Sequence, residues 1–164
     1  MKLELIPAPH DEIIQNLFPY YVYDMSEYAG FSPDEKGSFA VAKEVSRLDE
    51  YWTKEKHYPY HIMVDGEIAG FVLIRPYPDR EEYNDIGQFF VLRKFKHKGV
   101  GREAFIQVVH KHPGKWITRV LPNNKGAYEF WTKVITQETQ GSYSIKREVY
   151  GDKPMDFIYY HTES

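Results

Sequence analysis

The sequence predicts a mixed α/β sheet with helices packed on its faces. Three observations lead there. Short apolar or alternating runs recur between turn residues, as strands do. Asp65-Gly66 sits between two β-rich runs, the strongest short-range hairpin signal. Two segments with helical apolar periodicity, 100–110 and the stretch after Asn124, are each followed by a strand-like run. No internal repeat, low-complexity tract or linker interrupts the chain, so residues 1–164 are expected to form one domain.

Each element has its own reason. KLELI at 2–6 alternates polar and apolar side chains, the pattern of a half-buried strand. From Asp11 onward, Ile13, Ile14, Leu17 and Phe18 fall on a helical face. Pro19 lacks a backbone donor, so the helix is expected to stop there and a second short one to start with YYVYDMSEYA. FSPDEKG reads as a loop and LDEYWTKEKH (48–57) as a helix. YHIMVDGEIAGFVLIRPYP supplies the hairpin, and RPYPDREEYN is expected to be the next loop. DIGQFFVL (85–92) is short, apolar and aromatic, like a buried strand. Val100, Ala104, Phe105, Val108 and Val109 make one helical face, which HPGK ends before the strand WITRVL. Asn123 or Asn124 caps a last helix whose core face is Ala127, Phe130, Trp131, Val134 and Ile135. YSIKREVY and MDFIYYH close the chain as strands.

Composition narrows the function. Hydrophobic residues make up 42% and charged residues 27%, an ordinary globular balance. A formal net charge of -3 argues against a general nucleic-acid binder. The absence of cysteine excludes disulfides, thiol nucleophiles and thiolate metal sites. His57 and His61 are separated by Pro59, and His110 and His112 stand two apart at a helix end, so no metal site is supported. The N-terminus has no signal-like apolar run and no segment is long enough to span a bilayer, so a soluble cytoplasmic protein is expected.

The chemistry concentrates in RKFKHKGVGREA, which joins a strand to a helix. The first turn of a helix presents free N–H groups at the positive end of its dipole, and glycines let a ligand approach the backbone. Lys96, His97, Lys98 and Arg102 add positive charge, so a phosphate or pyrophosphate is the expected ligand. A Walker loop is excluded because no G-x-x-x-x-G-K-[ST] string is present. A dinucleotide fingerprint is disfavoured because Ala104 stands at its third glycine and the region about 20 residues on, ITRVLPN, offers no acidic ribose reader.

The run from Phe89 to Arg102 resembles motif A of the GNAT superfamily of N-acetyltransferases, with Lys96 where Gln or Arg is usual. NKGAYEFW (124–131) resembles the N-x-x-A-x-x-F-Y segment that follows in that family. The pairing of these two blocks looks like an uncharacterised bacterial subgroup. The resemblance implies a GNAT fold: a mixed, mostly antiparallel sheet of six to seven strands with about four helices. It also implies acetyl-CoA as acyl donor and a primary amine of a small molecule or peptide as acceptor. Nucleic acid and membrane are not expected partners, and a homodimer is left open.

By the same resemblance, the backbone of Phe90, Val91 and Leu92 would pair with the pantetheine arm. The strand carrying Val91 would splay from WITRVL, and the donor would enter that gap. Amides from His97 through Lys98, Gly99, Val100 and Gly101 to Arg102 would hold the pyrophosphate, with Asn124, Ala127 and Trp131 lining the donor site. The Val91 N–H would stabilise the thioester oxygen. Asp85, six residues before Val91, occupies the place of the usual base. Strand alternation would put Asp85, Gly87, Phe89 and Val91 on one face. Trp131 stands where the family often has a tyrosine acid, and an indole N–H gives up no proton at useful pH. Either another tyrosine substitutes, Tyr128 or Tyr159, or the thiolate leaves without a dedicated acid. The alternative function is a non-catalytic module that binds acyl-CoA, which the missing tyrosine would suit.

Overall fold

The computed structural model describes residues 1–39 and 48–163. In chain order the elements are β1 (Leu3–Pro7), α1 (Glu12–Ala29), α2 (Glu50–Thr53), β2 (Tyr58–Val64), β3 (Glu67–Tyr77), β4 (Arg80–Val91), a 3-10 turn (Arg93–Phe95), α3 (Val100–Lys111), β5 (Gly114–Val120), α4 (Lys125–Thr139), β6 (Tyr143–Tyr150) and β7 (Lys153–Thr162). The seven strands form one mixed sheet in the order β1-β2-β3-β4-β5-β7-β6. Every neighbouring pair is antiparallel except β4 and β5, which are parallel and joined through α3. This is the expected mixed, mostly antiparallel sheet, with four helices among the described residues.

The sheet separates two cores. On one face the apolar stripes of α3 and α4 meet Val72, Ile74, Ile86, Trp116 and Ile158. On the other, Ile14, Phe18 and Val22 of α1 and Tyr51 of α2 meet Phe71, Leu73 and Phe90. Burial of a large side chain such as Phe18 or Phe71 contributes about 1.5–3 kcal/mol relative to leaving it exposed.

Three expectations are corrected. Pro19 does not break the first helix, which runs without interruption from Glu12 to Ala29. Ile14, Phe18, Val22 and Ala29 form one buried stripe on both sides of the proline. Pro19 itself is exposed, on the side where water can satisfy a freed carbonyl. The helix expected over 48–57 shrinks to Glu50–Thr53, because the chain leaves helical geometry at Lys54. RPYPDREEYN is strand rather than loop: β3 runs to Tyr77 and β4 begins at Arg80, with Arg75 opposite Asp85 and Pro76 opposite Asn84. Asp65-Gly66 does make the β2–β3 turn, both residues at positive φ.

The end of α3 carries an acid-sensitive contact. His112 packs its ring against Tyr58, centroids 4.3 Å apart, and its Nε2 lies 2.7 Å from the Tyr60 hydroxyl. Burial, and secondarily Lys111, lowers the pKa of His112; burial, and secondarily His10, lowers that of His61. The folded protein therefore takes up these protons less readily than the unfolded chain, whose histidines titrate near 6.5. The stabilisation is complete above that pH and is lost as pH falls through the depressed folded values. The melting temperature should drop from pH 7 to pH 5, and the drop should be smaller in His112→Gln when both are followed by circular dichroism.

Candidate active site

β4 and β5 pair over only three positions, Tyr83 with Lys115, Asn84 with Trp116 and Asp85 with Ile117. β4 continues for six more residues, to Val91, and β5 for three, to Val120, with no ladder between them. The result is a V-shaped gap in the middle of the sheet with Asp85 at its vertex. Residues 92–99 lead from the end of β4 at the open side of this gap into the N-terminus of α3.

The backbone of β4 faces the gap selectively. The Leu92 N–H donates to the Ala69 carbonyl of β3 at 2.8 Å. The Phe90 carbonyl also points to β3, close against Gly70. Alternation then turns the N–H and C=O of Val91, and of Phe89, away from β3 and into the gap. This corrects the expectation for Phe90, which faces β3, and for Leu92, whose N–H is taken by β3 and whose carbonyl accepts the Phe95 N–H of the 3-10 turn at 2.9 Å. Val91 turns its backbone into the gap, and so does Phe89, which reading the motif as a three-residue block had hidden.

A register shift also moves Asp85. Leu73 pairs with Gln88 but Ile74 pairs with Ile86, so β4 carries one extra residue around Gly87. A bulge of this kind reverses the alternation beyond it. Phe89 and Val91 pack on the α3/α4 face, whereas Asp85 shares the opposite face with Phe90. The sequence expectation of one common face is therefore wrong. Asp85 is fully buried: its Oδ2 accepts from Arg75 Nε at 3.0 Å, and Arg119 Nη2 reaches both of its oxygens at 3.1 and 3.2 Å. Arg75 also donates to the Tyr150 hydroxyl at 2.9 Å, and the Arg119 guanidinium stacks 3.9 Å from the Tyr150 ring centre. Sequence reasoning missed both arginines. The signal available was a single guanidinium inside each of two apolar strands, LIRPY and ITRVL.

The anion loop folds as its residues require. His97 and Gly99 both adopt left-handed backbone, φ 61° and 80°. Gly99 caps α3 without a side-chain bond, and a Cβ at this position would meet nothing within 4 Å. Lys96, His97, Lys98 and Gly99 are exposed. The hydrogen-bond ladder of α3 opens with the Glu103 N–H on the Gly99 carbonyl at 3.0 Å, so the amides of Val100, Gly101 and Arg102 precede it. First-turn amides at a helix start, behind a glycine whose front is open, fit a diphosphate. Lys96 reaches Asp24 of α1 at 3.7 Å and Arg93 reaches it at 2.9 Å, which ties this loop to α1. Arg102 donates to Gln137 of α4 at 2.9 Å. Val100 is buried against the core, so it contributes its amide rather than its side chain. At Gly101 an added Cβ would sit 3.2 Å from the Phe130 ring, so helix and ring meet there without room for a side chain.

Asn124 caps α4, its Oδ1 accepting the Ala127 N–H at 3.0 Å. Trp131 packs edge-on against Phe89 at 5.2 Å, Phe105 at 5.7 Å and Phe130 at 5.0 Å, and Ala127 lies partly buried on the same helix face. Among the described residues the Trp131 indole N–H has no hydrogen-bond partner. Tyr128 is 38% exposed and its hydroxyl is likewise without a protein partner there. The Tyr159 hydroxyl is committed to Arg80 and Glu148.

With this geometry in place, comparison with known proteins is decisive. The model of the acetyltransferase (GNAT) family matches residues 20–135. The chain belongs to the GNAT acetyltransferase family. It is an acetyltransferase that uses acetyl-CoA. Solved structures share its fold. An acetyltransferase from Thermus thermophilus superposes with a TM-score of 0.68 at 15% identity, covering 98% of this chain and 97% of its own. A spermidine N-acetyltransferase from Vibrio cholerae, in complex with CoA and spermine, gives 0.65 at 12% identity over 98% and 95%. A Bacillus anthracis str. Ames protein in complex with acetyl coenzyme A gives 0.54 at 21% identity over 71% and 68%. The sequence has no match among curated proteins. No helix among the described residues of this GNAT protein is long and apolar enough to cross a membrane.

Proposed function

We propose that this GNAT protein transfers the acetyl group of acetyl-CoA directly to a primary amine of a small molecule or peptide. The observation that carries the reading is the continuity of the V-shaped gap with the first-turn amides of α3. The loop from Lys96 to Arg102 holds the pyrophosphate. The inward-facing backbone of Phe89 and Val91 pairs with the pantetheine arm, and Asn124, Ala127 and Trp131 flank it from α4. The arm runs inward from the loop past Val91 to Phe89, so the Phe89 N–H, the deeper of the two, stabilises the negative charge that develops on the thioester oxygen, where the family resemblance points to Val91.

The amine nitrogen attacks the thioester carbonyl carbon, the C–S bond breaks, and the amine's proton leaves as the thiolate is released. Asp85 is the base suggested by its place in the strand, but both its oxygens already accept from guanidiniums. In this reading Asp85 instead holds Arg75 and Arg119, and the amine gives its proton to water. The Trp131 N–H solvates the thiolate, and the exposed Tyr128 is the candidate acid.

Mixing the protein with acetyl-CoA and a panel of amines should release free thiol only when an accepted amine is present. If calorimetry shows acetyl-CoA binding while no amine of any class is acetylated, the reading as a non-catalytic acyl-CoA module replaces this one.

A further inference from the structure

Beside the vertex of the gap, two guanidiniums surround one carboxylate. Asp85 is fully buried, the Arg119 side chain is 9% exposed and that of Arg75 18%. The charges do not balance: one carboxylate leaves one buried positive charge in excess. An unmatched buried charge is costly unless something pairs with it. Two polar atoms here are buried without a partner among the described residues, Arg119 Nε and the Tyr51 hydroxyl. Arg119 stacks one face of its guanidinium on Tyr150 and gives Nη2 to Asp85, so the donor it leaves without an acceptor is Nε.

The position of this cluster matters. Ile117 is the last β5 residue paired with β4, so Arg119 stands on the β5 wall of the gap just past the vertex. Its side chain lies on the face away from α3 and α4, whereas the donor loop leads into α3. A donor held by α3 and an amine arriving at the vertex must come from opposite faces, which makes this the acceptor's side. The surrounding elements are fixed to one another. Asn123 donates to the Tyr28 carbonyl at 3.0 Å and Lys153 to the Ala29 carbonyl at 2.9 Å, pinning the end of α1 over this region. Tyr51 of α2 sets its hydroxyl over Gly87, where any side chain would collide with it.

Resting on the acetyltransferase reading, we propose that the acceptor is an amine that carries its own carboxylate, a molecule of the amino-acid class, and that Arg119 with Arg75 beside it receives that carboxylate. A single excess charge matches a monoanion, and a planar carboxylate fits the edge of a guanidinium. The same charge repels polyamines, which bring no anion to offset it.

The test uses the full chain loaded with acetyl-CoA and a matched panel: free amino acids, the same amino acids as carboxamides, and linear polyamines. Free amino acids should be acetylated with kcat/KM at least tenfold above their carboxamides, and polyamines should be poorer still. Arg119→Gln should raise KM for the free acids about tenfold or more and so close most of their gap to the carboxamides, while the KM for acetyl-CoA stays as in the wild type. Equal or better turnover of carboxamides or polyamines overturns the proposal, as does discrimination that survives Arg119→Gln. If Arg119→Gln does not fold, the wild-type panel still decides. If no amine is acetylated at all, the transferase reading fails by itself, and calorimetry on the CoA-loaded protein then judges the anion site. Heat with amino acids but not with their carboxamides supports it, and no heat with either overturns it.

Discussion

Gly99→Glu is expected to abolish acetyl-CoA binding, weakening it by more than a hundredfold, while the protein still folds. The fold should survive because a Cβ at Gly99 meets nothing within 4 Å, and the residue is exposed in the loop ahead of α3. The cost to folding is that of a non-glycine residue at φ 80°, about 1–3 kcal/mol, and His97 already occupies left-handed backbone two residues earlier. The cost to binding is larger for two reasons. The new side chain enters the open space in front of the amides of residues 97–102, and its carboxylate competes with the diphosphate for the same donors. It also neutralises part of the charge of Lys96 and Lys98. Titration calorimetry with acetyl-CoA and with CoA checks the first expectation, and a thermal melt in the absence of either checks the second. Undiminished affinity would move the nucleotide to another part of the molecule.

The strand–turn–helix shape of this loop was legible in the sequence, and the reason is physical. A glycine at positive φ before a helix has few uses, and three cations nearby reduce them further. The helices α3 and α4 were readable too, because each buries a regular apolar stripe, whereas the ends of β3 and β4 around Tyr77 and Arg80 were hidden by their prolines and charges. What the sequence hid was decided by tertiary packing. Pro19 argued locally for a break, but the stripe through Phe18 and Val22 continues into the core and the proline faces water. The extra residue at Gly87 cannot be seen as a pattern of residue types, yet it moves Asp85 to the other face from Val91. That shift is why the carboxylate meets Arg75 and Arg119, whose sequence positions are 10 and 34 residues away and whose convergence only the strand order β3-β4-β5 creates.

The consequence of that convergence is the second large effect. Asp85→Ala should destabilise the protein by about 3–5 kcal/mol, the usual cost of removing one member of a buried ion pair. In a chain of this size each kcal/mol lowers the melting temperature by about 2–4 °C, so the loss should be of the order of 10 °C. The size follows from what remains. Arg75 and Arg119 would stand beside one another with no carboxylate between them, and the Tyr150 ring and hydroxyl can neutralise neither. Asp85→Asn keeps the shape and an acceptor oxygen but not the charge, so it should fall between wild type and alanine. Chemical denaturation of all three proteins measures the order. The same variants separate the two roles of the carboxylate. If Asp85 only holds the guanidiniums, Asp85→Asn should raise the KM for the acceptor and leave the pH dependence of kcat as it is in the wild type. If it removes the proton from the amine, the basic requirement in the pH profile should vanish with it. An anchoring carboxylate also predicts that added acetate or formate improves the stability of Asp85→Ala more than that of the wild type, because the small anion can occupy the vacated place between the two arginines.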